Sequence, residues 1–111
     1  MENKERSDKG IKRGKYKLSL HPKYRNHIAK ANSFGIYSEL TEEQFLMLYN
    51  SPCHYCGGSS KMGITRIDMH DGFYIDNVRP CCYDCNMMKN KSDEYEFIRR
   101  IQKLCRYNNA I

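Results

Sequence analysis

Residues 53–91 read CHYCGGSSKMGITRIDMHDGFYIDNVRPCCYDCNMMKNK, and the cysteines at the two ends of this stretch decide the fold. Cys53 and Cys56 form one Cys-x-x-Cys pair, Cys82 and Cys85 a second. Two thiolates separated by two residues grip one side of a tetrahedral Zn²⁺, and a second pair closes the shell. The first pair is followed by Gly57 and Gly58, which let backbone amides turn toward the sulfurs. The second opens a helix, whose positive dipole end favours thiolates. Four thiolates leave no open position for water, so the expected zinc is structural and supplies folding energy that a small core lacks. Cys81 is the ambiguous neighbour: it stands beside ligand Cys82 at the end of an alternating strand and reads as a small buried residue. Cys105 is expected to be core, and His54, between two ligands, to face solvent.

Working outward, Gly63 opens two extended runs, GITRID and FYIDNVRP, separated by the turn-forming MHDG, which predicts a β-hairpin. A short helix is expected over 84–90. Ser92 or Asp93 caps a last helix whose stripe of Phe97, Ile98, Ile101, Leu104 and Cys105 faces the core. Upstream, Thr41 and Gln44 form a capping box ahead of Phe45, Leu46, Leu48 and Tyr49. Pro22 starts an earlier basic helix that Gly35 closes.

The chain has 111 residues and a formal charge of +6, distributed unevenly. Residues 1–30 hold ten Lys and Arg against three acids, a net of +7, whereas residues 31–111 are close to neutral. The first residues carry too little apolar surface to offset the entropy of ordering, and are expected to form a disordered arm over 1–20. Lys12, Arg13, Lys15, Lys17, Lys23, Arg25 and Lys30, interleaved with Tyr and His, suit phosphate neutralisation; the plainer alternative is a solubilising tail. A basic helix and linker follow over 21–40, then the zinc domain over 41–107. No run approaches the roughly 18 apolar residues of a membrane span, and the N-terminus lacks the apolar centre of a signal peptide. The chain therefore reads as soluble and intracellular, with its cysteines reduced.

The stretch 63–91, together with the Cys53/Cys56 pair ahead of it, resembles the HNH endonuclease family in its zinc-bound, treble-clef ββα-metal form, over residues 41–104. The features are the G-I-x-R-I-D strand, the D-G turn, the D-N-V segment and C-x-x-C-N-x-x-K. The resemblance implies an α+β fold with flanking helices beside the basic arm, and hydrolysis of phosphodiesters with one divalent metal such as Mg²⁺ or Mn²⁺. It maps a metal-binding position onto Asn86, directly after Cys85, and a loop-tying asparagine onto Asn77. Lys89, one helical turn beyond Asn86, is a candidate phosphate contact.

The first strand departs from the family, with Thr65-Arg66 where Asp-His is usual. Arg66 stays protonated and so is no base, but could clamp a phosphate. Asp68 and His70 are the substitutes: Asp68 to offer a metal carboxylate or simply to pair with Arg66, His70 to approach the attacking water or to stand as an exposed turn residue. Two functions follow. One is an endonuclease acting on nucleic acid, DNA before RNA, alone or as a homodimer. The other is a catalytically inactive module bound to nucleic acid or held in a nucleoprotein assembly such as a ribosome or virion. Either places the chain with nucleic acid in cytoplasm, nucleoid, nucleus or a viral setting.

Overall fold

In a computed structural model that describes residues 20–108, the chain divides into two units, Met1–Gly35 and Ile36–Ile111. The arm, with Lys12, Arg13, Lys15 and Lys17, lies outside the described residues. Among the described residues of the first unit there is one helix, α1 (Pro22–Ser33), which carries Lys23, Arg25 and Lys30. His21 caps it through Nδ1, which accepts from the Lys23 amide at 3.0 Å, and Gly35 adopts φ 69° just beyond its end. That is the left-handed conformation in which glycine stops a helix at no steric cost.

The second unit is α+β, in the order α2 (Glu42–Tyr49), β1 (Met62–Arg66), a 3₁₀ turn at Ile75–Asn77, β2 (Val78–Cys82), α3 (Tyr83–Lys89) and α4 (Glu94–Tyr107). It begins earlier than the expected boundary at 41. Ser38 forms a parallel bridge to Phe73 and Leu40 is buried with Leu48 and Val78, so the presumed linker belongs to the core. The capping box of α2 is complete: Thr41 Oγ1 accepts from the Gln44 amide at 3.1 Å and Gln44 Oε1 from the Thr41 amide at 3.0 Å.

The two strands pair antiparallel from Met62 opposite Cys82 to Arg66 opposite Val78. The hairpin loop is longer than the pattern suggests, because FYID does not continue the ladder; residues 67–77 form a stiff connection instead. Side chains supply the bonds that a ladder would have made. Asn77 Oδ1 accepts from the Asp68 amide at 2.9 Å, and its Nδ2 donates to the carbonyls of Asp68 and Gly72 at 3.1 and 2.8 Å. Arg66 Nη1 donates to the carbonyls of Met69 and Asp71 at 2.9 and 2.7 Å, with its guanidinium over the Phe73 ring. Phe73 in turn gives its backbone to residues 37–39.

Gly72 makes that last contact sterically feasible. A Cβ there would lie 2.6 Å from the Tyr37 carbonyl oxygen and 3.2 Å from the Tyr74 ring. Backbone cannot withdraw as a flexible side chain can, so Gly72→Ala is expected to cost about 1–3 kcal/mol. Thermal unfolding of the zinc-loaded protein checks this, and an unchanged midpoint would refute it.

Two small clusters make the core of this unit: Leu40, Leu48 and Val78 with Ile64 and Phe73, and the four buried cysteines 53, 81, 82 and 85 with Tyr55 and Met62. Helix α4 is moored at its first turns. Tyr55 packs edge-on against buried Phe97, ring centroids 5.2 Å apart, and donates its hydroxyl to Glu94 Oε1 at 2.8 Å. Arg79 grips the same carboxylate through Nε at 2.8 Å and Nη2 at 3.2 Å. Beyond Phe97 the expected core stripe is largely uncovered: Ile98, Leu104 and Cys105 are exposed and Ile101 is half-buried. Helix α4 runs about 21 Å at ~1.5 Å per residue, further than so small a core extends.

The Glu94 clamp predicts an acid-sensitive contribution to stability. Its carboxyl is held below the ordinary value, first by the hydrogen bond from Arg79 and then by the bond from Tyr55. A depressed folded-state value stabilises above the unfolded one, near 4.3, and that stabilisation is lost as pH falls through the lower, folded value. Glu94→Gln is therefore expected to cost about 1–2 kcal/mol near neutrality, after discounting for partial solvent exposure. The deficit should shrink when wild type and variant are unfolded in urea side by side at decreasing pH below 5. A deficit that grows toward acid would contradict the assignment.

Candidate metal sites

The sulfurs of Cys53, Cys56, Cys82 and Cys85 all lie within 4.8 Å of one another. Local structure brings each pair in. The 53–58 turn closes by hydrogen bonds from the Cys53 amide to the Gly58 carbonyl and from the Gly57 amide to the Cys53 carbonyl, with Gly57 at φ 77°. The Gly58 amide then donates to Cys56 Sγ at 3.4 Å. Cys82 is the N-cap of α3, and its sulfur accepts from the Cys85 amide at 3.5 Å. Cys56 Sγ and Cys82 Sγ are 3.7 Å apart. A tetrahedron with metal–sulfur bonds of about 2.3 Å has edges of about 3.8 Å, so the separation fits a metal such as zinc, and all six cysteines are free thiols.

The thiols respond unequally to this crowding. Burial raises Cys53, but backbone amides of Cys82, Cys56 and Tyr55 outweigh it and bring the thiol down to about 6. Burial and the neighbouring sulfurs push Cys85 up. Like charges packed this closely cannot all ionise unless a cation offsets them. Cys81 is excluded from the set: it is buried, its Sγ reaches the Cys82 carbonyl at 3.4 Å, and burial pushes its thiol up to about 12. His54 is exposed and Cys105, expected in the core, is exposed as well.

A second cluster lies where the hairpin connection meets the start of α4. Oxygen and nitrogen atoms of Asp68, His70 and Asp93 fall within 4.8 Å of one another. Asp68 does not pair with Arg66. Its Oδ1 accepts from the His70 amide at 2.8 Å and stands 3.6 Å from His70 Nδ1. Asp93 is the N-cap of α4, yet its side chain makes no capping bond. Its Oδ1 accepts instead from the Met69 amide at 2.7 Å, which brings the carboxylate to the other two groups. Two carboxylates and an imidazole form a donor set suited to a divalent cation that prefers oxygen, such as Mg²⁺ or Mn²⁺.

The remaining candidates differ in burial and in what their side chains already hold. Asn77 is buried and spends its whole amide on the loop that carries Asp68. Asn86 is half-buried on α3, and its side chain makes no hydrogen bond among the described residues. Thr65, at the strand position where an acid is usual, is buried opposite Arg79. Arg66, expected to clamp a phosphate, has its Nη1 occupied by two loop carbonyls.

Lys89 requires an outright correction. Read as a phosphate contact, it is fully buried at 0 % exposure, so no phosphate can reach it. Its Nζ donates to the carbonyls of Arg66 and Ser92, both at 2.8 Å, and lies 3.5 Å from Met69 Sδ. Burial lowers its ammonium below the ordinary value. Those acceptors flank Asp68 and Asp93 in sequence, so Lys89 ties together the segments that bear the second cluster. The sequence pattern offers Asp93, like Ser92, only as a helix cap. Its one sequence signal, an acid at a helix start, has capping as the default meaning.

No family model matches the chain. It is 32% identical over 101 residues to an uncharacterised protein of Acanthamoeba polyphaga mimivirus, an alignment covering 88% of this chain and 19% of that protein. The chain thus spans about a fifth of the length of that curated relative. Among solved structures it is similar to the rare-cutting HNH restriction endonuclease PacI, with a TM-score of 0.59, 25% identity and 68% of each chain covered. The part of the chain that matches shares its α+β fold with that endonuclease, and the described residues hold a close cysteine cluster. No helix among them is long and apolar enough to cross a membrane.

Proposed function

We propose that this chain is an HNH-type endonuclease that hydrolyses phosphodiester bonds in DNA, with a structural zinc in the four-cysteine cluster and one catalytic divalent metal beside Asp68. The observation that carries the reading is the convergence of Asp68, His70 and Asp93 on a fold shared with an HNH restriction endonuclease. Asp68 and Asp93 would hold Mg²⁺ or Mn²⁺, with the Asn86 amide as a neutral donor, and the ion would neutralise charge at the scissile phosphate and the leaving oxygen. His70 is the base. Its Nδ1 faces the Asp68 carboxylate, which orients the ring, while the exposed ring edge can take a proton from water. Asn77 and Lys89 position these groups without touching the substrate. The mimivirus relative supports a viral setting.

Thr65 favours a second reading. With no acid at that strand position, a nucleic-acid-binding module without catalysis would show the same fold. Supercoiled plasmid incubated with the zinc-loaded protein and Mg²⁺ or Mn²⁺ separates the two: nicking that requires Asp68 and His70 supports the nuclease, and salt-dependent binding without nicking in either metal selects the module.

A further inference from the structure

The second unit is close to neutral in sum, but its charges are segregated. On α4 the acids Glu94 and Glu96 occupy the first turn, and every charged residue after them is basic: Arg99, Arg100, Lys103 and Arg106. All four are exposed, and none forms an ion pair among the described residues. Arg99 lies over the Tyr95 ring, 5.9 Å from its centroid, which orients the guanidinium without neutralising it. Arg79, by contrast, is consumed by Glu94.

Three of these cations line an open groove of about 830 Å³ between the end of α3 and the length of α4. Arg99, Arg100 and Lys103 outweigh the single carboxylate of Glu96 on its wall; Met88, Leu104 and Tyr107 supply apolar surface, at 61%, 51% and 88% exposure. Ser92 also lines it, and its neighbour in sequence, Asp93, belongs to the Asp68–His70–Asp93 cluster. We infer that this groove is a nucleic-acid-binding track, in which Arg99, Arg100 and Lys103 hold the phosphates flanking the bond presented to that cluster. Three unpaired cations in one concave strip attract a polyanion, and apolar side chains between them give sugars and bases a dry surface. A second protein copy seated through Leu104 would have to bury the same cations against their own kind, which like-charge repulsion opposes.

The inference rests on the nucleic-acid part of the proposed function and not on cleavage, so it is tested by binding alone. A labelled DNA duplex and its single strand are titrated with the full zinc-loaded chain over a range of salt, in Ca²⁺ without Mg²⁺ or Mn²⁺. The comparison is between wild type and the combined variant Arg99→Ala, Arg100→Ala, Lys103→Ala. Each lost phosphate contact removes about one from the slope of log affinity against log salt, so the triple variant should bind more weakly with a slope shallower by about 2–3. Because the three side chains are exposed and unpaired, zinc content and thermal midpoint should not change. The combined variant Arg99→Lys, Arg100→Lys, Lys103→Arg should retain the slope. Single alanine variants, each removing about one from the slope, serve should the triple variant fold poorly.

Affinity within about twofold of wild type together with an unchanged salt slope overturns the inference. So does a wild-type protein that binds neither nucleic acid, or one that sediments as a dimer whose formation excludes DNA. Nicking by wild type with no binding defect in the triple variant would leave the nuclease standing and remove the groove. A binding defect in a protein that never nicks would do the reverse.

Discussion

Replacing Cys85 by Ala is expected to abolish cooperative unfolding and leave a chain without fixed tertiary structure. The two apolar clusters of the second unit are small, and one of them consists of the cysteines themselves. A structural Zn²⁺ contributes apparent binding energy on the order of 10–16 kcal/mol, as large as the whole stability of a typical domain, about 5–15 kcal/mol. Removing one of four ligands opens the shell and strands the remaining thiolates around a weakly held ion. The cluster also joins parts of the chain that little else joins: the 53–58 turn meets β2 and α3 there and through the His54 amide on the Pro80 carbonyl, while Tyr55 ties the same turn to Glu94 and Phe97 of α4. Metal analysis should find one zinc per wild-type chain and a substoichiometric amount in the variant. Amide dispersion and near-ultraviolet dichroism should collapse together, and a chelator should reproduce the effect on wild type. Cys81→Ala and Cys105→Ala are the controls, because neither sulfur belongs to the set; both should keep the zinc and the transition. A Cys85→Ala protein that unfolds cooperatively with wild-type stability would remove the zinc scaffold from the account.

The second large effect is on the proposed nuclease activity. His70→Ala is expected to lower the nicking rate by about 10²–10⁴, the usual contribution of a positioned general base. Asp68→Asn should be at least as damaging, since it removes both a metal carboxylate and the negative charge that faces His70 Nδ1. The two should differ in metal dependence. If Asp68 is a ligand, its variant should require more Mg²⁺ or Mn²⁺ for half-maximal rate, whereas His70→Ala should lose rate at any metal concentration. Asp93→Asn should resemble Asp68→Asn in this respect, because its carboxylate enters the same cluster from the start of α4. All three are near the protein surface, so zinc content should stay at the wild-type value. Nicking at the wild-type rate by His70→Ala would exclude it as the base. Indifference of both aspartate variants to metal concentration would exclude this cluster as the site.

Much of the fold was legible in local spacing. The paired cysteines, the Thr41–Gln44 capping box and the Pro22 and Gly35 boundaries each depend on residues a few positions apart, whose geometry chain stereochemistry dictates. The hairpin was legible in kind but not in extent. Its strands pair over 62–66 and 78–82 only, since Asn77 and Arg66 satisfy the loop backbone that a longer ladder would have engaged. Cys105 and the outer stripe of α4 were misread because periodicity shows which face of a helix is apolar, not whether anything lies beneath it.

By itself the sequence determined the two metal-gripping pairs, the order of elements and the presence of Asp68 and His70 on one short connection. Only the tertiary structure decided that the Asp93 carboxylate joins them instead of capping its helix, that Lys89 is an internal tie and no phosphate contact, and that cations of α4 line a groove together with Ser92. The reason is physical. Whether a charged side chain faces a carbonyl, a carboxylate or open solvent depends on which distant segment crosses it, and a net charge summed along 31–111 cancels acids and bases that the fold places on different surfaces.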